Sequence, residues 1–320
     1  MDVAVSTLTS PAILFFLLGG LAAFARSDLH FPEALAKGLS IYLMMAIGLK
    51  GGVAVSASGF TSDLLVAAAA GLGLSFLLPI PAYLLLRSVG RLDSLNAGAV
   101  AAHYGSVSVV TFVTATEILT RQGLTPAGYM VAVLALMETP AIVTGLLLAR
   151  RGASAQSFGG RSSLAHEVLF NASVVLLVGS FVIGLIAGPA GIKPVQPLFE
   201  GLFRGLLALF LLDMGLVAGR RLLESRSLTP LLAGLAVLLP LLNGTLGVGL
   251  GVLIGLDPGS AAALGILAAS ASYIAVPAAM RLALPQADPG LYLSMSLGVT
   301  FPFNIIIGIP LFAGVARALS

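Results

Sequence analysis

The 320-residue chain contains no cysteine and no tryptophan, and only 9% of its residues are charged. The absence of cysteine excludes disulfide bonds and thiolate chemistry. The three histidines, His30, His103 and His166, are too scattered to predict a metal site. The net charge of +3 is small, and the basic residues lie between apolar runs, so nucleic acid is not an expected partner. Soluble domains are about 25% charged, so the composition also excludes an ordinary soluble protein.

Long apolar runs dominate the sequence. Hydrophobic residues make up 58% of the chain, and the mean hydropathy is +1.07. A membrane-spanning helix needs about 20 mostly apolar residues. The sequence therefore predicts an all-α membrane protein with ten transmembrane helices. The ten spans are placed near residues 11–25, 34–56, 64–86, 94–119, 126–150, 167–187, 197–218, 229–254, 259–283 and 289–317.

A Gly/Ser/Arg-rich stretch, "RRGASAQSFGGRSS" (150–163), divides the spans into two groups of five. We predict an N-terminal five-helix repeat at 1–150, a linker at 151–166 and a C-terminal five-helix repeat at 167–320. Basic residues are distributed unequally between the two sides of the membrane, 11 against 5. The larger set is Arg26, Lys37, Arg87, Arg91, Arg150, Arg151, Arg161, Arg220, Arg221, Arg226 and Arg281, and the smaller is Lys50, Arg121, Lys193, Arg204 and Arg317. Because cytoplasmic loops are the more basic, the linker is predicted to be cytoplasmic and both termini external.

An internal repeat relates the two halves. The stretch "PEALAKGLSIYLMMAIGLKGG" (32–52) matches "FEGLFRGLLALFLLDMGLVAG" (199–219) at an offset of 167 residues. Matched pairs include Glu33 with Glu200, Lys37 with Arg204 and Gly52 with Gly219. A repeat unit of five spans reverses its orientation in the membrane. The sequence thus predicts two inverted repeats, an arrangement common in secondary transporters.

Polar residues interrupt the apolar pattern once in each half. Span 4 contains "AHYGSVSVVTF" (102–112), and span 9 contains "AASASYIAVPAAMR" (268–281). Non-helical backbone at membrane depth is tolerated only inside protein or around a cavity. We predict that helices 4 and 9 are broken here and cross, so that two half-helix N-termini form a site for a small anion. The alternative is that these small polar residues only pack helices together.

Two carboxylates lie within predicted spans, Glu138 in "LMETPAIVTG" and Asp213 in "FLLDMGL". Ionisable groups at membrane depth are costly and usually functional. A carboxylate near an anion site can bind a coupling cation or carry a proton. Glu138 is the stronger candidate, because the nearby Pro140 frees a backbone carbonyl. Asn304 is a neutral polar residue within span 10, and His103 is a further candidate proton group.

With these motifs in place, the chain resembles the sodium-dependent bicarbonate transporter family (SbtA-like permeases) over nearly its whole length. The resemblance rests on "FPEALAKGLSIYLMMAIGLKGG", "YGSVSVVT", "METPAIVTG", "PLFEGLFRGLLALFLLDMG", "AASASYIAVPAAMR" and "IGIPLFAGVARAL". It implies ten helices in two inverted repeats, with helices 4 and 9 broken and crossing. It further implies a plasma-membrane protein that takes up bicarbonate with Na⁺, a homotrimer, and a soluble PII-like regulator as partner.

Carried over position by position, the family's motifs place site residues in three spans. In span 4, Ser108 and Thr111 match the family pattern. In span 5, Glu138 replaces the family's Asp in M-D-x-P-A, and in span 9, Tyr273 replaces an acid. We expect the anion to contact Gly105, Ser106, Ser108, Thr111, Ser272 and Tyr273. We expect the coupling Na⁺ to contact Glu138, Ser270, Asp213 and Asn304.

The sequence therefore predicts a Na⁺-coupled symporter of a small anion, most readily bicarbonate. One alternative is a proton-coupled carrier of another small organic anion that uses Glu138, Asp213 or His103. A second is a transport-inactive membrane sensor or scaffold. An enzyme is not expected, because the sequence has no nucleophile–base pair, no HExxH motif and no nucleotide-binding loop.

Overall fold

In the computed structural model, the residues described are 9–59, 61–150, 172–225 and 227–319, and every regular element among them is a helix. The predicted linker, 151–166, lies outside the described residues. Within these ranges, seven segments are long and apolar enough to cross a membrane. These are Glu33–Ala57, Ser62–Ser88, Ser94–Arg121, Met130–Arg150, Val175–Val195, Pro230–Leu253 and Pro289–Leu319. The prediction of an all-helical, multi-pass membrane protein is confirmed.

The described residues of the first half form eight helices. They are α1 (Pro11–Phe24), α2 (Glu33–Ser58), α3 (Ser62–Leu77), α4 (Pro79–Ser88), α5 (Ser94–Gly105), α6 (Val109–Arg121), α7 (Met130–Met137) and α8 (Pro140–Arg150). Three pairs of consecutive helices, α3–α4, α5–α6 and α7–α8, occupy one apolar segment each. Pro79 and Pro140 begin the second helix of their pairs, because proline lacks the N–H group that a continuing helix needs.

The described residues of the second half form six main helices. They are α9 (Ala172–Ile192), α10 (Phe203–Glu224), α11 (Pro230–Leu253), α12 (Pro258–Ala269), α13 (Ala275–Ala283) and α14 (Pro289–Leu319). In α14, π-helical turns at Ser294–Thr300 and Asn304–Gly308 interrupt the α-helix. The helix α1 and the helix α12 are apolar but short.

The helices that bear the polar stretches begin with aspartate caps. The Asp93 carboxylate accepts hydrogen bonds from the Asn96 N–H at 2.9 Å and from its side-chain amide at 2.7 Å. Partial burial alone would raise the pKa of Asp93, but these bonds outweigh it and lower the pKa. Asp257 caps α12 in the same way, accepting from the Ser260 N–H at 3.0 Å. Each cap satisfies N–H groups that the first helical turn leaves free.

Glycines bring two pairs of helices into close contact. The helix α1 packs against α10, and α2 packs against α9. A Cβ built on Gly19 would lie 2.1 Å from the Leu212 carbonyl oxygen, and one on Gly52 would lie 1.9 Å from the Phe181 oxygen. Small residues allow such approach between membrane helices, where burial of apolar surface supplies little driving force.

This packing makes Gly52→Ala a sharp test of the α2–α9 contact. The added methyl must push the helices apart, since the blocking atoms belong to the backbone, and overpacking of this kind costs about 1–3 kcal/mol. Gly38→Ala is a matched control on the same helix, because its Cβ meets nothing within 4 Å. We expect a lower Tm in detergent for Gly52→Ala and an equal or higher Tm for Gly38→Ala. Equal Tm values for the two variants would contradict the contact.

The helices α5 and α6 lie at the centre of the molecule. In the most apolar part of Ser94–Arg121, 100% of the residues are buried, against 22% for Val175–Val195. The helix α5 packs against α8 and α4, while α12 packs against α11 and α14. The polar stretches of spans 4 and 9 therefore lie inside protein, where backbone need not be helical.

Candidate functional site

Three non-helical residues, Ser106, Val107 and Ser108, separate α5 from α6. The Ser106 hydroxyl donates to the Glu138 carbonyl oxygen at 2.7 Å. The Ser108 hydroxyl oxygen caps α6, accepting from the Thr111 N–H at 3.2 Å and from the Thr111 hydroxyl at 3.0 Å. The serines thus supply the partners that the interrupted helix cannot provide itself. We call residues 106–108 the first break.

The second break, residues 270–274, separates α12 from α13 and has a similar construction. The Ser270 hydroxyl donates back to the Leu267 carbonyl at 2.7 Å, and Ser272 accepts from the Val276 N–H at 3.4 Å. In each break the first serine follows the end of one helix and the second serves the start of the next. The two serine pairs lie 164 residues apart in the chain.

The two breaks are bonded to each other. The Ser108 N–H donates to the Ser270 hydroxyl oxygen at 3.1 Å, and the Ser272 N–H donates to the His103 carbonyl at 3.0 Å. The His103 side chain donates from Nδ1 to the Ser272 carbonyl. Because a carbonyl oxygen can only accept, Nδ1 must carry a proton. A neutral His103 ring therefore has its lone pair on Nε2. His103 is therefore hydrogen-bonded to Ser272 in the second break through both its backbone and its side chain.

Gly105 closes α5 beside the first break. A Cβ at this position would lie 2.3 Å from Pro79 Cγ and 2.9 Å from the Ala141 Cβ. The glycine lets α5 approach α4 and α8, so its immediate surroundings are helix contacts. Sequence reasoning placed Gly105 against the anion, and the structure places it one residue from the first break.

A serine hydroxyl is inserted where α7 meets α8. Ser75 donates to the Met137 carbonyl at 2.8 Å and accepts from the Ala141 N–H at 3.2 Å. The hydroxyl thus stands between two groups that a continuous helix would join directly. Glu138 follows this opening and is only 3% exposed, and its Oε2 atom has no hydrogen-bond partner among the described residues. A buried carboxylate oxygen without a partner is costly until a cation or a proton reaches it.

The other predicted site residues differ in how they are connected to the breaks. Asn304 donates from its amide to the Ala269 carbonyl at 2.8 Å, and its Oδ1 has no partner in the described part of the chain. The Tyr273 hydroxyl is likewise buried without a hydrogen-bond partner there, and its ring meets Phe301 edge-on. Asp213 is buried on α10, where its charged neighbour is Arg220. No hydrogen bond joins Asp213 to either break in the described structure.

Sequence reasoning missed a cavity of about 620 Å³ between α2, α6 and α10. Lys50, Glu117 and Arg204 are among its lining residues. Lys50 and Arg204 entered the sequence reasoning only as charges on one side of the membrane. The available signal was Lys50 itself, a cation within an apolar span.

The breaks offer two kinds of ligand group. The N–H groups of Val109 and Val110 begin α6, where the helix supplies no acceptor, and such groups attract anions. The unpartnered oxygens of Glu138 and Asn304 are groups that bind hard cations. No set of three or more His, Asp and Glu side chains able to hold a metal ion occurs among the described residues. A cation here would use hydroxyl, amide and carbonyl oxygens together with one carboxylate.

The sequence was compared with known proteins. The model of the Na⁺-dependent bicarbonate transporter superfamily matches residues 11–317 of the chain. The match spans all the described helices that form the two breaks and the cavity, and it confirms the resemblance seen in the motifs. No curated protein sequence matches the chain.

Proposed function

Because the chain belongs to the Na⁺-dependent bicarbonate transporter superfamily, we propose that it is a symporter that takes up bicarbonate with Na⁺. One observation carries the proposal: two serine-bearing helix breaks meet in the protein interior and bond to each other. Paired breaks of this kind present half-helix N-termini to an anion and free oxygens to a cation. Family membership also favours transport over catalysis.

The proposed architecture has ten transmembrane helices in two inverted repeats, 1–150 and 167–320, with helices 4 and 9 broken and crossing. Equivalent bonds in the two halves support it. Asn96, third after the Asp93 cap, accepts from the Asp288 N–H at 2.8 Å. Ser260, third after the Asp257 cap, accepts from the Ala127 N–H at 3.0 Å. In the proposed repeats, α1 corresponds to α9 and α2 corresponds to α10. The contact between α1 and α10 is therefore the counterpart of the contact between α9 and α2, and both contacts are present.

The anion is proposed to lie at the meeting point of the breaks. Hydroxyl and backbone N–H groups would contact it there, from Ser106, Ser108, Thr111, Ser272 and Tyr273. Gly105 lets α5 lie close to α4 and α8. The side chains of Ser106, Ser108 and Ser272 already have intramolecular hydrogen bonds. The backbone N–H groups and the Tyr273 hydroxyl would therefore supply most of the new contacts.

The Na⁺ is proposed to bind beside the same breaks. Glu138 and Asn304 each offer an unpartnered buried oxygen, and Ser270 offers a hydroxyl next to Asn304's partner Ala269. Asp213 lies on another helix and is the candidate for a separate cation or proton step. Neutralising the Glu138 carboxylate by a bound cation would remove the cost of its burial.

The second candidate function is a proton-coupled carrier of a small organic anion. It is favoured by His103, which is fully buried and has no hydrogen-bond partner for Nε2 among the described residues. A free imidazole nitrogen can accept a proton, and Glu138 could do so as well. Both candidates use the same breaks and differ in the coupling ion.

Uptake of labelled bicarbonate into proteoliposomes tests the proposed function. We expect uptake with an inward Na⁺ gradient and little without one, at constant pH. Uptake driven by a proton gradient alone would replace Na⁺ with H⁺ as the coupling ion. If neither gradient drives uptake of bicarbonate or small carboxylates, the protein is a sensor or scaffold and the proposal fails.

The orientation follows from the distribution of basic residues, and cysteine labelling tests it in the naturally cysteine-free chain. Ser27 and Ala57 are exposed on opposite sides of span 2. We expect Ala57→Cys to react with a membrane-impermeant maleimide on whole cells, and Ser27→Cys to react only after permeabilisation. The reverse pattern would place the termini in the cytoplasm.

Tyr273→Phe separates a ligand contact from a packing role. The variant removes a hydroxyl that lies near the Ser108 side chain but makes no hydrogen bond of normal geometry in the described structure, so stability should be nearly unchanged. If the hydroxyl binds the anion, the uptake KM should rise about twofold to tenfold, as for loss of one neutral hydrogen bond. Unchanged KM with unchanged Tm would assign Tyr273 to packing against Phe301.

Oligomerisation and regulation are proposed from the family resemblance. We propose a homotrimer and binding of a soluble PII-like protein. Cross-linking in native membranes should give a three-chain product, and a monomer-only pattern would contradict the trimer. Co-purification with a PII-like protein expressed in the same cells tests the second partner.

A further inference from the structure

The cavity between α2, α6 and α10 extends from exposed charges to the neighbourhood of the first break. Its lining includes Arg204, whose side chain is 62% exposed. The lining also includes Phe112 and Val113, which are buried and directly follow Thr111 in the chain. The cavity therefore leads from the protein surface to the helix that begins at the first break.

Ion pairs hold most of the charges at the exposed end. The Glu117 carboxylate accepts from Arg121 at 2.8 Å and from Arg204 at 2.6 Å, both through Oε1. Glu200, also on the cavity wall, accepts from the Gln196 amide at 2.7 Å. The Glu117 carboxylate thus forms ion pairs with two arginines, and the Glu200 carboxylate is bonded to a neutral amide.

Lys50 is the charge that these pairs do not include. Its Nζ lies 4.0 Å from the centre of the Phe203 ring, and no carboxylate lies within 4.0 Å of it in the described parts of the chain. The ring occupies one side of the ammonium group, and the cavity occupies another. The lining cations Lys50 and Arg204 equal the lining carboxylates Glu117 and Glu200 in number, and Arg121, which lies outside the lining, shares Glu117 with Arg204.

An ammonium group within an apolar span is costly unless a partner compensates it. A cation–π contact contributes only about 0.5–2 kcal/mol. The N–H donors of an ammonium group that lines a cavity provide a site for a small oxyanion, which forms charge-assisted hydrogen bonds with them. We propose that the cavity is an external vestibule in which Lys50 binds the anion before it reaches the breaks. This assignment rests on the proposed anion transport and adds a second binding position to it.

Chemical rescue at Lys50 tests the role of its charge. Lys50→Cys should raise the uptake KM for bicarbonate about tenfold to hundredfold, as expected for loss of a charged hydrogen bond. Reaction with 2-aminoethyl methanethiosulfonate, which restores an ammonium group, should recover the KM. Methyl methanethiosulfonate should not. Rescue by both reagents, or by neither in a folded protein, would overturn the role of the charge.

Reagent accessibility tests the vestibule without any measurement of transport. A negatively charged, impermeant sulfonatoethyl reagent added outside should modify Lys50→Cys faster than a trimethylammonium-ethyl reagent. Lys193→Cys, exposed on the same predicted side but outside the cavity wall, gives the reference ratio of the two rates. Bicarbonate should slow modification at position 50 and leave position 193 unaffected. A cysteine at 50 that is unreactive from outside, unprotected by bicarbonate, or faster with the cationic reagent would overturn the proposal.

The two proposals can fail separately. Suppose that the wild-type protein shows no transport, while bicarbonate still protects Lys50→Cys from modification. The vestibule then stands as an anion site, and the proposed transport fails. If uptake proceeds with an unchanged KM in Lys50→Gln, transport stands and the vestibule falls. Lys50→Gln also covers the case in which Lys50→Cys does not fold, and a Tm measurement on each variant identifies that case.

Discussion

Glu138→Gln should lower Na⁺-dependent uptake about tenfold to hundredfold while the protein stays folded. The Glu138 Oε2 atom is buried and has no hydrogen-bond partner in the described structure, so the substitution breaks no bond made by that atom. The backbone carbonyl that accepts from Ser106 remains in place. What the amide removes is the charge that a bound cation would meet, and a charged contact contributes about 1.5–3 kcal/mol.

Stability measured with and without Na⁺ makes this test independent of transport. A ligand that binds only the folded protein stabilises it by about 2.7 kcal/mol at a concentration 100 times its Kd. Na⁺ should therefore raise the Tm of the wild type and of Glu138→Asp, which keeps the carboxylate that the family pattern carries here. It should not raise the Tm of Glu138→Gln. Equal uptake per folded molecule in all three proteins would leave Glu138 as a packing residue.

The non-helical residues between α5 and α6 and between α12 and α13 have a local cause. Ser106, Ser108, Ser270 and Ser272 sit among residues that otherwise suit a buried helix, and serine side chains readily serve exposed backbone groups. Ser108 caps the following helix by accepting a hydrogen bond from the Thr111 N–H, three residues later. Short-range hydrogen bonding of this kind depends on sequence spacing alone.

Contacts between distant segments could not be predicted in this way. Ser75 lies 66 residues from the Ala141 N–H that it accepts from, and His103 lies 169 residues from the Ser272 carbonyl. Neither serine nor histidine carries a local signal of such a partner. The cavity could not be predicted for the same reason, because Lys50 and Arg204 come from different halves of the chain and meet only after α2 and α10 have packed.

Helix boundaries followed the apolar runs except where charge or proline intervened. The helix α10 has 22 residues but carries Arg204, Asp213 and Arg220, and it is not among the seven segments that meet the length and composition limits for a span. In α14 the π-helical turns occur beside Pro302 and Pro310. Proline removes an N–H donor, and the carbonyls that lose it take other partners over longer turns. A count of apolar residues does not reveal such changes.

His103→Leu should lower stability by about 1–3 kcal/mol and reduce uptake strongly. The leucine cannot donate to the Ser272 carbonyl, so a buried acceptor in the second break loses its partner. The bond from the Ser272 N–H to the His103 carbonyl survives, because it involves only backbone. One of the two ties between His103 and the second break is thereby removed, and the breaks should hold their relative position less tightly.

His103→Asn distinguishes a side chain that only holds the second break by a hydrogen bond from one that carries the coupling proton. An asparagine amide can donate from nearly the position of the imidazole Nδ1, but it takes up no proton at neutral pH. Both variants lose the stacking of the His103 ring on Tyr292, so that loss cancels in the comparison. If His103 only holds the second break, His103→Asn should recover both Tm and Na⁺-driven uptake relative to His103→Leu. If His103 carries the coupling proton, His103→Asn should recover the Tm alone, and uptake should stay low with either ion gradient.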